Sequence, residues 1–145
     1  MVKFYNYALI KGIKPICGVD FDIKVNNGYS NLISLAKNKK GLEKLFKLST
    51  ESFVKSGSEK RSIPEQDILN NADDIVCIIP SSSPNLRNLA LKKEDLLIDQ
   101  HYKKYLEAFA ENLFVGVSNF SKDGYDSASA LACNIAKKNN IKAVA

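Results

Sequence analysis

Histidine is nearly absent from this chain: His101 stands alone among 145 residues. That excludes a histidine-rich metal centre and any Ser/His/Asp or Cys/His triad, since helical spacing from His101 reaches only Lys104 and Tyr105. Arginine is scarce as well, with Arg61 and Arg87 only; the other cations are lysines, some of them in small clusters at positions 37–40, 92–93, 103–104 and 137–138. Nucleic-acid faces interleave arginine with aromatic side chains. The net charge of +5 therefore reads as a solvated lysine surface whose DNA contact is at most weak and nonspecific. Cys17, Cys77 and Cys133 are odd in number, far apart and set in apolar sequence, which fits free buried thiols in a reducing compartment better than a disulfide or zinc site. There is no run of 18 apolar residues, and Lys3 and Asn6 interrupt the first dozen positions. A cytoplasmic protein with no membrane partner is the expectation. A glycine-rich phosphate loop is missing too. Ser81-Ser82-Ser83 reads as a plain turn before Pro84, with no Lys-Ser/Thr pair beside it.

What remains is an apolar content of 45%, enough for one core. The first 21 residues read as a helix, a break and a buried strand. Phe4, Tyr5, Ala8 and Leu9 share a helical stripe, Gly12 ends the helix and Pro15 keeps it from resuming. Residues 16–21 then suit a strand that delivers Asp20 near its carboxyl end, where α/β folds place their chemistry.

Helix-like and strand-like patterns alternate from there on, predicting a parallel α/β topology. Asn26-Asn27-Gly28 predicts a hairpin turn pairing residues 23–25 with 31–36. Residues 39–55 form a helix with Leu42, Leu45, Phe46, Ser49 and Phe53 on one face, closed by Ser56-Gly57-Ser58. Ser62 or Ile63 caps a short helix carrying Ile68 and Leu69, with Pro64 in its first turn. Residues 75–79 lack alternation, the pattern of a central strand covered on both faces. Residues 85–91 and 95–109 read as helices, the second burying Leu96, Leu97, His101, Tyr105 and Phe109; His101, among Asp99, Gln100, Lys103 and Lys104, has a helix-surface or packing role. A strand at 113–117, a polar loop at 118–124, a helix at 125–138 with Ala128, Leu131, Ala132, Ile135 and Ala136 inward, and a strand at 141–145 complete the order. Asp73-Asp74 reads as a solvated turn rather than a cation site.

Lys3-Phe4-Tyr5, Gly12-Ile13-Lys14-Pro15-Ile16 and Gly18-Val19-Asp20-Phe21 resemble the polymerase-and-histidinol-phosphatase (PHP) domain, in the form found at the amino end of gammaproteobacterial replicative DNA polymerase III alpha subunits. The likeness continues through residues 31–38 and Gly41-Leu42 and returns in residues 141–145, the strand that in the family leads to a Thr-Asn-Asp metal motif. PHP phosphoesterases hold two or three metal ions with His, Asp, Glu and Cys ligands. By this resemblance Asp20 matches a carboxylate ligand, Asn31 stands where the family commonly has a ligand histidine, and Ser82 or its neighbour stands where some relatives have cysteine. An amide is a poor substitute for imidazole. Asp20 is then a residual ligand position without an occupant, and no catalytic or cofactor-binding residue is expected.

The resemblance implies an α/β fold of consecutive βα units, an incomplete PHP-type distorted (β/α)7 barrel, with residues 1–145 forming a single partial domain truncated at both ends. It implies a non-catalytic scaffold whose partners are the remainder of the polymerase alpha subunit and its proofreading exonuclease subunit. A metal-dependent PHP-family phosphoesterase and an unrelated small α/β binding module are the alternatives.

Overall fold

The computed structural model describes residues 2–26, 28–56, 60–118 and 125–145. Helix α1 (Val2–Ile10) ends as its glycine requires. Gly12 takes a positive φ of 69°, its amide donates to the Leu9 carbonyl, and the Ile13 amide reaches back to Ala8 at 2.9 Å, a Schellman closure. The expected apolar stripe is not buried, however. Among the helix side chains described, only Ala8 is covered, while Phe4 remains 68% and Ile10 80% exposed.

Strand β1 (Gly18–Val25) pairs antiparallel with β2 (Gly28–Ala36), in the register Asp20 opposite Ile33 and Val25 opposite Gly28. The chain turns where predicted, with Asn27 outside the described residues, but Ile23, Lys24 and Val25 pair with Ser30, Tyr29 and Gly28, while Asn31 to Leu35 pair with Asp22 back to Gly18, because the strands run right up to the turn. β1 starts two residues later and ends four residues further on than residues 16–21 suggested. Asp22 does not stop it, because its carboxylate sits 2.8 Å from the Lys60 ammonium at the strand's edge.

Helix α2 (Lys39–Ser56) begins at a joint between distant residues. Asn38 accepts from the Gly41 amide at 3.1 Å and donates to Asp74 at 2.7 Å, while the Lys37 amide donates to the Asp74 carbonyl at 2.9 Å. A Cβ at Gly41 would lie 2.1 Å from that same carbonyl oxygen, so only glycine fits the approach. The buried face of α2 runs through Leu45, Leu48 and Ser52, with Phe46 and Phe53 exposed on its flank rather than inside. Phe53 is instead capped by the Arg61 guanidinium, 4.1 Å from the ring centre. The predicted closure at Ser56-Gly57-Ser58 lies at the limit of the described residues.

A two-residue strand, β3 (Ile63–Pro64), leads into α3 (Glu65–Leu69), whose N-cap is Pro64 rather than Ser62 or Ile63, with no side-chain cap bond. Then come β4 (Ile75–Pro80), α4 (Pro84–Leu91), α5 (Asp95–Phe109), a 3-10 turn at Ala110–Asn112, β5 (Leu113–Gly116), α6 (Tyr125–Lys138) and β6 (Lys142–Val144). Most of the predicted 118–124 loop, from 119 on, is outside the described residues.

The sheet order is β3-β1-β2-β4-β5-β6. Five strands point one way, and β2 opposes both of its neighbours. The result is a mixed α/β sheet rather than an all-parallel one. β4 is central, yet its burial alternates: Ile75, Cys77 and Ile79 are fully buried while Val76 and Ile78 are half-buried. Helices α2 to α6 all contribute to a core on one face. On that face Phe21, Ile23, Leu32, Ile75, Ile79 and Val115 meet Leu45 and Leu48 of α2, Ile98, Tyr102, Tyr105 and Phe109 of α5, and Ile135 of α6 in one core. Leu96 and Leu97, expected inside, are exposed at the start of α5. The opposite face carries an in-register row, Asp20, Ile33, Ile78, Phe114 and Lys142, beside Leu35 and Val76. Among the described residues no helix is long and apolar enough to cross a membrane.

Candidate functional site

Asp20 is the third residue of an eight-residue strand, not a residue at its carboxyl end. The structure nevertheless joins two of the three predicted positions. Asn31 is one step diagonal from Asp20 across the β1–β2 pair, and its Nδ2 donates to Asp20 Oδ1 at 3.5 Å. Partial burial raises the Asp20 carboxyl above its ordinary value, the Asn31 bond opposes that, and the nearby Asp22 charge adds to it. Asn31 Oδ1 is buried without a hydrogen-bond partner.

Ser82 lies elsewhere. Asp20 is level with Ile78 through Ile33, and Ser82 follows in the turn beyond the end of β4. Its neighbours are engaged in tying the chain together. Ser83 Oγ meets Ser30 Oγ at 2.7 Å, and Ser81 Oγ meets Ser129 Oγ at 2.9 Å while accepting from the Ser118 amide at 3.1 Å. Ser83 is the N-cap of α4 but makes no side-chain cap bond. Ser81 and Ser83 thus tie β2, α6 and the residues after β5 to the end of β4, and their hydroxyls are not free to cradle a phosphate. Asp73 and Asp74 are likewise committed, to Lys44 and to Asn38.

The lone histidine is buried, in the packing role. His101 lies against Tyr105 with ring centres 4.9 Å apart and edge-on to Tyr102. Its Nδ1 is 3.8 Å from Glu65 Oε1, and Tyr105 donates to that same oxygen at 3.0 Å while Lys104 holds Oε2 at 2.5 Å. Burial lowers the imidazole pKa to about 4, with Glu65 opposing and Lys104 adding to the shift, so the ring is neutral at pH 7. Sequence reasoning missed this cluster. Glu65 and His101 sit on separate elements, and no local spacing links them.

A divalent centre needs carboxylates and imidazoles that converge. Asp20 brings one carboxylate and Asn31 a neutral amide, and among the described residues no group of three His, Cys, Asp or Glu side chains is close enough to hold a metal. Asp20 and Asn31 by themselves do not make up a two- or three-metal centre. All three cysteines are free; burial pushes the Cys77 thiol well above its ordinary pKa and leaves it inert.

A family model described as the PHP domain matches residues 1–120. The DNA polymerase III subunit alpha of Pseudomonas aeruginosa is 26% identical over 149 residues, covering 100% of this chain and 13% of that protein. The subunit of the same name from Haemophilus influenzae is 22% identical over 148 residues with the same coverage. That of Halalkalibacterium halodurans is 26% identical over 138 residues, covering 93% of this chain. The chain thus spans 13% or less of the length of these three relatives.

Proposed function

The chain belongs to the PHP domain family, and from that premise we propose that it is a non-catalytic PHP module of a replicative DNA polymerase alpha subunit. In this reading it packs against the polymerase body and helps to seat the proofreading exonuclease subunit. The observation that carries it is the open sheet face. Ile33, Ile78 and Phe114 form an in-register apolar row flanked by Leu35 and Val76, and all five are only half-buried. An apolar row of this length is characteristic of a surface built to be covered. Further strands and loops of the parent would close it into the distorted barrel of the family. Asp20 is then a relic of a metal site, and the protein works in the cytoplasm.

DNA contact is a minor part of this reading. Lys103 and Lys138 are both paired with Asp99, at 3.0 and 3.3 Å, and Lys104 with Glu65, which leaves fewer lysines to neutralise phosphates. In a pulldown with the complete amino-terminal domain, exonuclease retention is expected to survive charge reversal at Lys92, Lys93, Lys103 and Lys104. Loss of primed-DNA binding in a domain that never retains the exonuclease would replace the scaffold with a DNA-binding role.

A second reading, a metal-dependent phosphoesterase, draws on the unpartnered Asn31 Oδ1 beside Asp20, an oxygen pair that a cation would satisfy. Elemental analysis after dialysis separates the two. We expect less than stoichiometric zinc or manganese, and one or more ions per chain would favour the enzyme.

A further inference from the structure

A cleft of about 300 Å³ opens where β1, β3 and β4 end, at the opposite end of β1 from Asp20 and roughly 17 Å from it. Val25 is the last residue of β1, Glu65 follows β3 directly, and Asn85 stands in the first turn of α4, the helix after β4. Gln100, His101 and Lys104 of α5 form the far wall. The chain passes from β2 to β3 on one side of the sheet and then crosses to β4 on the other. Crevices outside the carboxyl ends of parallel strands are where α/β sheets commonly take ligands.

We infer that this cleft binds an uncharged hydrogen-bonding heterocycle of the nucleobase or nucleoside class. Its lining rules out simpler ligands one by one. The Lys104 ammonium is occupied by Glu65 at 2.5 Å, so no free positive charge awaits a phosphate or carboxylate. The imidazole is neutral, held so by burial, which leaves the lining without net charge. A metal ion lacks its third ligand among the described residues. Asn85 and Gln100 line the cleft, and among the described residues nothing hydrogen-bonds their side chains. Each carboxamide offers both donors and an acceptor, the complement of a base edge. Val25, Leu89 and Leu97 supply the apolar walls for a flat ring. Finally, His101 Nε2 is buried with no partner. The carboxylate facing Nδ1 favours the proton there, so Nε2 is an acceptor lacking a donor.

The side-chain amide signals of asparagine and glutamine in nitrogen-15 spectra of the whole chain read this directly. Titration with uracil, cytosine, adenine and their nucleosides is expected to give saturable shifts at Asn85 and Gln100, with a dissociation constant on the order of 1 mM or tighter for the best of them. Asn139, bonded to Asp99, should stay still. Inorganic phosphate should shift neither cleft amide, and a mononucleotide should bind no tighter than its nucleoside. Gln100→Leu and Leu97→Asp, both at exposed positions that leave folding intact, should each weaken binding at least about tenfold. Saturation-transfer spectra observed on the ligand provide the same comparison at low protein concentration. The absence of saturable shifts for all six compounds would overturn the assignment. So would equal shifts from phosphate alone, or undiminished binding by both variants.

Discussion

The two faces of the sheet are built from the same strands and even the same residue types, yet they have different fates. Leu32 and Ile33 are neighbours in β2; the first is fully buried under the helices and the second is half-buried on the open side. Ile79 and Ile78 repeat the contrast in β4. The alternation of a pleated strand makes two surfaces, and α2 to α6 all dock on one. The covered side is a core, whereas the open side, with Asp20 and Asn31 at its edge, is a surface whose stability role depends on what lies over it.

The sharpest test of that contrast truncates adjacent residues. Leu32→Ala should cost about 2–5 kcal/mol of unfolding free energy in urea titrations, and Ile33→Ala less than half as much. Equal losses would mean the open face is as well packed as the other. Next in size is the pH dependence of the covered side. His101 titrates near 4 in the fold and 6.5 when unfolded, so the unfolded chain binds more protons between these values. Stability is complete above about pH 6.5 and falls as pH drops toward 4, by on the order of 3 kcal/mol. His101→Gln should flatten this slope, read from melting curves across that range, while Ile33→Ala on the open face leaves it unchanged.

A smaller effect is expected at the serine pins. Ser83→Ala leaves Ser30 Oγ buried without its partner and should cost about 1–2 kcal/mol. The double variant with Ser30→Ala should lose less than the two singles combined, as a double-mutant cycle will register. The least change is expected at Asp20. Its carboxyl titrates above the ordinary value, so the folded chain holds the proton more tightly and ionisation opposes folding. Asp20→Asn should therefore stabilise slightly at neutral pH, within about 0.5 kcal/mol, with the gain shrinking as pH falls through the carboxyl range.

Local chemistry was readable in the sequence wherever one residue decides a turn or a boundary. Gly12 ended α1, Asn26 and Gly28 announced the hairpin, and α6 spans the residues its apolar spacing marked. What failed depended on partners. The apolar residues of 75–79 resemble a strand covered on both faces, because hydrophobicity records a need for cover and not what supplies it. The faces of α2 and α5 were misjudged at Phe46, Phe53, Leu96 and Leu97 for a related reason: an aromatic or leucine at the edge of a stripe is buried only if a neighbour reaches it. Asp20 and Asn31 were identified as positions and do meet, yet the sequence misplaced Asp20 along β1 since nothing local said that Asp22 would be tolerated. The Glu65–His101 cluster had no sequence signal at all, being assembled only when α5 lies against α3.

The joint of Lys37, Asn38 and Gly41 with Asp74 has a consequence for how this chain tolerates change over evolutionary time. It fastens a long excursion, comprising α2, β3 and α3, at its own neck, beside the Ala36–Ile75 rung of the β2–β4 ladder. Residues added to or removed from the connection between α2 and β3 alter a loop whose ends are already held, at about 0.6 kcal/mol per doubling of its length. The entry to β4 does not register them. Insertions are thus absorbed on that side of the neck, whereas a single methyl group at Gly41, pressed against the Asp74 carbonyl, would open it.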